Sequence, residues 1–224
     1  MRLIAIGDIH GCSRTLACLL EELAPGADDH FVFLGDYVDR GPDTPGVLDQ
    51  LISLRNTHTC TFLRGNHDAA MLAWMDGLRD YSWLYYGGTE TVRSYTGPDG
   101  RMEVPPLHLE FLRNTELYFE YPGHLFVHAG LRPELTVKEN LQAADEAVFL
   151  YYRGHITADV YAWEKRVVFG HTPMRSPLVT PFMIGIDTGC VYRRRDGMGR
   201  LTALCLPGEV FVMVDNCEPT AKMF

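Results

Sequence analysis

Much that would signal a membrane, secreted or nucleic-acid-binding setting is absent from these 224 residues. No stretch approaches the ~18 apolar residues needed to cross a bilayer. After Arg2 the apolar segment runs only from Leu3 to Ile6 before Gly7-Asp8, too short for the core of a secretory signal, so a cytoplasmic chain is expected. Cys12, Cys18, Cys60, Cys190, Cys205 and Cys217 form neither a CxxC pair nor a zinc-knuckle spacing, which leaves reduced, mostly structural thiols. No linker rich in Gly, Ser or Pro divides the chain, and a single domain over 1–224 is expected. Positive charge is scarce too: the formal net charge of −9 argues against a general affinity for nucleic acid or an anionic membrane. The one basic run, Arg193-Arg194-Arg195 between Tyr192 and Asp196-Gly197, fits a hairpin tip better than a binding patch.

What is present is an alternation of strands and helices. Ser13 is placed to cap a helix whose Leu16, Leu19, Leu20 and Leu23 share one face, and Pro25-Gly26 ends it. Thr44-Pro45 reads as the N-cap and first residue of a second helix, with Val47, Leu48, Leu51 and Ile52 as its buried stripe. A third strand over 59–63 leads into a helix carrying Met71, Leu72 and Met75. This β-α-β-α-β order predicts a parallel sheet with helices packed on it. Over about 76–107 aromatics concentrate (Tyr81, Trp83, Tyr85, Tyr86, Tyr95) beside Gly87-Gly88 and Gly97-Pro98-Asp99-Gly100. That segment is read as a helical insertion, either covering a site and setting selectivity or packing peripherally. The second half predicts a hairpin across Pro122-Gly123, a helix over 138–150, and short strands at 182–186, 201–206 and 210–214. Two sheets packed face to face with helices outside, an α/β (α+β) fold, account for both halves.

Five of these apolar runs end on residues of ligand chemistry. They are Gly7-Asp8-Ile9-His10-Gly11, Gly35-Asp36-Tyr37-Val38-Asp39-Arg40-Gly41, Arg64-Gly65-Asn66-His67-Asp68, His128-Ala129-Gly130 and Gly170-His171-Thr172. Ligand sites in open α/β sheets collect beyond the carboxyl ends of strands, so the five segments are expected to converge. Taken singly, Asn66-His67-Asp68 would be a helix cap, Arg40-Gly41-Pro42-Asp43 a turn, and His128 a hydrogen-bonded core histidine. Five in order reverse that reading. Asp8, His10, Asp36, Asn66, His128 and His171 combine hard oxygens with imidazoles, a set suited to manganese, iron or zinc. Asp8 and His10, two apart on an extended segment, point the same way. Asp36 is best placed to bridge two cations ~3.5–4 Å apart, which would acidify a shared water. Arg40 and Arg64 can grip phosphoryl oxygens as bidentate forks. Asp39 can accept from one ring nitrogen of His67 and leave the other ready to protonate a leaving alkoxide. Cys12 directly follows His10-Gly11 and could reach the site, but reads as a bystander.

These blocks resemble the signature segments of the phosphoprotein phosphatase family of serine/threonine phosphatases, over residues 3 to about 206. The resemblance implies the calcineurin-like metallophosphoesterase fold and two divalent metal ions, manganese foremost, with iron or zinc as alternatives. It assigns Asp8, His10 and Asp36 to one ion and Asp36, Asn66, His128 and His171 to the other. It also implies Arg40 and Arg64 on phosphate, with Arg153 of Leu150-Tyr151-Tyr152-Arg153-Gly154 as a further phosphate ligand, and His67 with Asp39 as an acid pair. Asp68 stands where protein phosphatases usually carry glutamate and the related diadenosine tetraphosphate hydrolases carry aspartate, whereas Asp39 favours the protein-phosphatase branch. Pro173 replaces the second histidine of the Gly-His-x-His ending typical of broader metallophosphoesterases. The expectation is a phosphomonoester hydrolase acting on phosphoserine or phosphothreonine in proteins. Two alternatives remain open: a dinucleoside polyphosphate or nucleotide hydrolase acting on a phosphate-ester small molecule, and a non-enzymatic phosphate-binding scaffold.

Overall fold

Leu3–Ile6 (β1) has no polar side chain and is buried throughout, as a strand in the middle of a sheet must be. The computed structural model describes residues 1–192 and 197–219, so the Arg193-Arg194-Arg195 run lies outside the described residues. In chain order β1 is followed by α1 (Ser13–Leu23), β2 (His30–Phe33), α2 (Thr44–Leu54), β3 (Thr59–Phe62), α3 (Asn66–Met75), α4 (Thr89–Tyr95) and α5 (Pro106–Arg113). Then come β4 (Tyr118–Tyr121), β5 (His124–Val127), α6 (Val137–Ala143), α7 (Glu146–Tyr151), β6 (Arg166–Phe169), β7 (Leu178–Val179), β8 (Met183–Gly185), β9 (Arg200–Leu206) and β10 (Val210–Asp215). One sheet has the order β10-β9-β1-β2-β3 and the other β4-β5-β6-β8-β7. The predicted parallel set β1, β2 and β3 is present, and β9 adds to it antiparallel to β1. In the second sheet β5, β6 and β8 are parallel, with antiparallel β4 and β7 at the edges.

Alternation along the strands divides the core. Leu3, Ala5 and Val32 join Phe126, Val168 and Ile184 of the other sheet in the layer between the two. Ile4, Ile6, Phe31 and Phe33 face the other way, onto Leu16 and Leu19 of α1 and Leu51 of α2. Leu125, Val127, Val167 and Phe169 meet Val137 of α6 and Phe149 of α7 on the far side. A period of two thus sorts each strand between sheet-facing and helix-facing neighbours. All parallel strands of both sheets end at the same rim, where the ligand-bearing loops follow.

Helix caps and breaks differ from the local pattern. Ser13 does not cap α1; its hydroxyl donates to Asp43 Oδ2 at 2.6 Å. Asp43, not Thr44, caps α2 by accepting from the Gly46 N–H at 3.0 Å, so one carboxylate ties the starts of both helices together. The expected helix over 138–150 is two, because Ala144 takes a left-handed turn (φ 49°) between α6 and α7. The segment after α3 holds a single wide helical turn at Leu84–Gly88 that runs into α4. Among the described residues no helix is long and apolar enough to cross a membrane.

His155 sits in a short helical turn, Gly154–Thr157, with its ring against Tyr152, Trp163 and Phe169 and no exposure to solvent. Neither ring nitrogen has a hydrogen-bond partner among the described residues. Burial pulls its pKa down to about 4, against ~6.5 in an unfolded chain. Between those values the unfolded state binds more protons, so stability rises with pH across this window and falls on acidification. Lowering the pH from 7 to 5 should cost about 2 kcal/mol through this residue alone. His155→Phe removes that slope, and urea midpoints of both proteins at pH 5 and pH 7 check it; parallel losses in the two would refute it.

Candidate metal centre and phosphate cleft

The loops that leave the strand ends are folded back under strain. His10 (φ 47°), Asp36 (φ 54°), Asp39 (φ 72°), Arg40 (φ 65°) and His171 (φ 61°) all occupy the left-handed region, which costs a side-chain-bearing residue on the order of 1 kcal/mol. Asp68, at the start of α3, holds two of these loops together. Its carboxylate accepts from the backbone N–H groups of Gly65, Asp36 and Tyr37 at 2.9, 2.8 and 3.0 Å. The loops approach so closely that a Cβ on Gly65 would lie 2.2 Å from the Asp36 nitrogen, which excludes any other residue there.

At the centre, unshared electron pairs face one another. His10 Nδ1 lies 2.8 Å from the Val38 carbonyl and His128 Nδ1 lies 2.8 Å from the Leu34 carbonyl. A carbonyl only accepts, so each Nδ1 carries the proton and each Nε2 presents a lone pair. Burial lowers the pKa of both rings and keeps them neutral; Arg40 adds to the effect at His10. His10 Nε2 then points at Asp36 Oδ2, 3.5 Å away. His128 Nε2 points at Asp36 Oδ1 (3.6 Å) and Asn66 Oδ1 (3.1 Å). His171 Nδ1 is 2.9 Å from the same Asn66 oxygen, and burial, with His128 beside it, pushes its pKa down to about 3. Such a convergence of acceptors calls for positive charge among them, which the Arg40 guanidinium supplies in part on the side of His10 and His67. Two groups meet this need, His10-Asp36-His67 and Asp36-His128-His171, with ligand atoms within 4.8 Å of one another in each and Asp36 common to both. The donor set fits two divalent ions.

The remaining expected residues divide. The Asp8 carboxylate is buried and both its oxygens lie 3.0 Å from the His171 N–H, outside those two groups. Burial, Asp187 and Asp36 raise its pKa well above the ordinary range. His67 Nδ1 meets Asp39 Oδ2 at 2.7 Å, the pairing expected of an acid dyad. Burial works against a charged ring, yet Asp36 and Asp39 together hold the His67 pKa above the usual imidazole value. Arg40 reaches into the basin, with NH1 2.5 Å from His10 Nε2 and NH2 2.7 Å from His67 Nε2. Arg153 lines the cleft in front of the centre, 3.5 Å from the His171 carbonyl. Arg64 does not join them. Its guanidinium donates to Thr115 Oγ1 (3.0 Å) and to the carbonyls of Arg113 (3.0 Å) and Thr115 (3.2 Å) at the end of α5, and it lies 4.0 Å from the Glu146 carboxylate rather than beside the centre. Cys12 is buried with its thiol toward the His10 carbonyl, in keeping with a bystander.

Three residues escaped the sequence reading. Trp83 Nε1–H donates to Asp39 Oδ2 at 2.9 Å and the Thr91 hydroxyl to Asp39 Oδ1 at 2.7 Å, so residues of the 76–107 segment orient the partner of His67. The same segment meets Arg40 directly: Gly87 (φ 124°) accepts its N–H at 3.0 Å, and a Cβ on Gly87 would lie 2.5 Å from Arg40 Cγ. Asp187 is a further buried carboxyl behind the centre, its pKa raised to about 7 by burial. Its signal was legible as one more carboxylate just past a strand, β8. In front of the centre lies a cleft of about 780 Å³.

The fold and this centre together define a metal-assisted phosphoesterase, and comparison with known proteins agrees. The profile of the calcineurin-like phosphoesterases matches residues 1–196, and the chain belongs to that family. It is 29% identical to the asymmetrical bis(5'-nucleosyl)-tetraphosphatase PrpE of Halalkalibacterium halodurans, covering 98% of this chain and 96% of that one. It is 27% identical to a symmetrical bis(5'-nucleosyl)-tetraphosphatase of a Janthinobacterium species, covering 96% of each. A solved structure provisionally described as a diadenosine tetraphosphatase superposes with a TM-score of 0.72 at 27% identity, covering 97% of this chain and 95% of that one. The resemblance to serine/threonine phosphatases therefore holds at the level of the superfamily, while these relatives carry tetraphosphatase names.

Asp36→Asn weakens both candidate groups at once and should lower metal affinity by more than about 100-fold, beyond what loss of a supporting residue costs; elemental analysis after dialysis reads this out, and full metal content would refute it. Arg153→Ala should reduce kcat/KM for phosphate esters about 10- to 100-fold, as loss of a charge-assisted bond does. Arg64→Ala should stay within about threefold, since its hydrogen bonds go to Thr115 and Arg113 and not to the centre. Equal losses would put Arg64 back on the substrate.

Proposed function

We propose that this protein hydrolyses dinucleoside polyphosphates, with Asp8, His10, Asp36, Asn66, His128 and His171 serving a pair of divalent ions. The single observation that carries the reading is the set of lone pairs converging on Asp36 at the base of a cleft large enough for a nucleotide. Relatives matched over nearly their whole length and named as tetraphosphatases support it against the phosphoprotein alternative. Manganese is the ion proposed, since mixed carboxylate, amide and imidazole donors suit it; iron and zinc satisfy the same donors. Ions bound there would acidify water to a nucleophile and offset phosphoryl charge. Arg40 and Arg153 lie at the cleft base, where their guanidinium groups would neutralise the anionic oxygens of the phosphate chain. Asp39 holds a proton on His67 Nδ1; Nε2 accepts from Arg40 at 2.7 Å, and once the ring is charged and Arg40 has turned to the phosphate, Nε2–H would stabilise or protonate the departing oxygen. One catalytic domain over 1–224, with 76–107 as its insertion, and a cytoplasmic setting complete the proposal.

In a dinucleoside polyphosphate the leaving group is itself a phosphate, which departs with little help from an acid. His67→Asn should therefore slow an alkyl phosphate more than about tenfold further than it slows diadenosine tetraphosphate or p-nitrophenyl phosphate. For substrate class, kcat/KM is measured with manganese on diadenosine tetraphosphate and on a phosphoserine peptide, where at least a tenfold preference for the dinucleotide is expected, on the order of 1.4 kcal/mol. Preference for the peptide would restore the protein-phosphatase reading, and inactivity on both with metal bound would leave a phosphate-binding scaffold.

A further inference from the structure

The candidate ions, Arg40 and Arg153 account for the inner end of the cleft; its outer end has a different chemistry. Ala69, Ala70 and Ala73 of α3 line it with small side chains. On one side the segment after α3 contributes Asp80 and Tyr86, and on the other α7 contributes Glu146 and Tyr151. Both tyrosines are largely exposed, at 62% and 53%, although each is anchored beside the centre. The Tyr86 carbonyl accepts from Arg40 Nε at 3.4 Å, and the Tyr151 ring stands edge-on to His171 with centroids 6.4 Å apart. Aromatic rings held at the mouth of a cleft and left open to water mark a surface built to be covered. The carboxylates of Asp80 and of Glu146, the latter 4.0 Å from the Arg64 guanidinium, can accept hydrogen bonds there from amino and hydroxyl groups.

The cleft is thus cationic within and aromatic and acidic without, the polarity of a nucleotide bound phosphate-first. Its volume falls in the range of small-molecule sites, well above what a phosphoryl group needs. We propose that this outer end is a nucleoside subsite, in which a base packs against the ring faces of Tyr86 and Tyr151 and the sugar hydroxyls or an exocyclic amine meet Asp80 or Glu146. The inference rests on the proposed dinucleotide hydrolysis and deepens it by assigning where one nucleoside is held.

The test is calorimetric titration of the manganese-loaded protein with adenosine 5′-monophosphate and with inorganic phosphate. Stacking of a base on an aromatic side chain is worth ~1–3 kcal/mol, so the nucleotide should bind about 5- to 150-fold more tightly than phosphate. Tyr86→Ala and Tyr151→Ala should each remove most of that increment and leave phosphate binding as it was, which also reports an intact centre. Tyr86→Phe and Tyr151→Phe should retain it. Equal affinity of nucleotide and phosphate in the unmodified protein would overturn the subsite, as would alanine variants that keep the increment. Failure of the hydrolysis reading looks different: no turnover of diadenosine tetraphosphate despite the nucleotide increment being present. Turnover without the increment would instead leave the base outside this cleft.

Discussion

Asp36 sits where mutually repelling groups have been forced together, and much of the architecture around it exists to hold that arrangement. Its carboxylate faces the lone pairs of His10 and His128 at 3.5 and 3.6 Å, all three residues being buried. Left without a cation, such a cluster would favour protonation or separation. It is kept together by the backbone: carbonyls of Val38 and Leu34 fix both rings, and Asp68 ties the loop carrying Asp36 to the loop carrying Asn66. The left-handed backbone at His10, Asp36 and His171 is the accompanying cost, met by the packing of two sheets beneath.

The aromatic segment after α3 is bound into this system by hydrogen bonds. Trp83 and Thr91 orient Asp39, while Gly87 and Tyr86 hold Arg40 through backbone carbonyls. The sequence reading left a choice between a cover over the site and a peripheral packing unit. These hydrogen bonds, with Trp83 and Tyr86 lining the cleft, support the first. They also set the part of the cleft proposed to hold a nucleoside beside the arginine facing the phosphate chain, and because both bonds come from backbone carbonyls they do not depend on the Tyr86 ring.

The sheets were legible because their signals are short-range and redundant. Ile4-Ala5-Ile6 and Phe31-Val32-Phe33 admit only buried strands, and each stops at a glycine followed by an acid. Helix starts were less legible, since Ser13 donates to Asp43 thirty residues away instead of capping its own helix, a choice made by proximity and not by local propensity. Arg64 shows the same limit. Its place beside Gly65-Asn66 put it at the site in sequence, but the carbonyls at the end of α5 compete for its guanidinium and win. Trp83, Thr91 and Asp187 carry no motif of their own; they matter because the chain returns them to Asp39 and Asp8.

By itself, then, the sequence determined that five strand ends would present carboxylate, amide and imidazole to a common rim, because a period-two apolar pattern leaves those residues nowhere else to go. Which nitrogen of each histidine looks inward, which arginine faces the cleft, and what lines its outer end were decided only in three dimensions. Those outcomes depend on hydrogen-bond partners and neighbouring walls drawn from distant parts of the chain, and no local spacing encodes them.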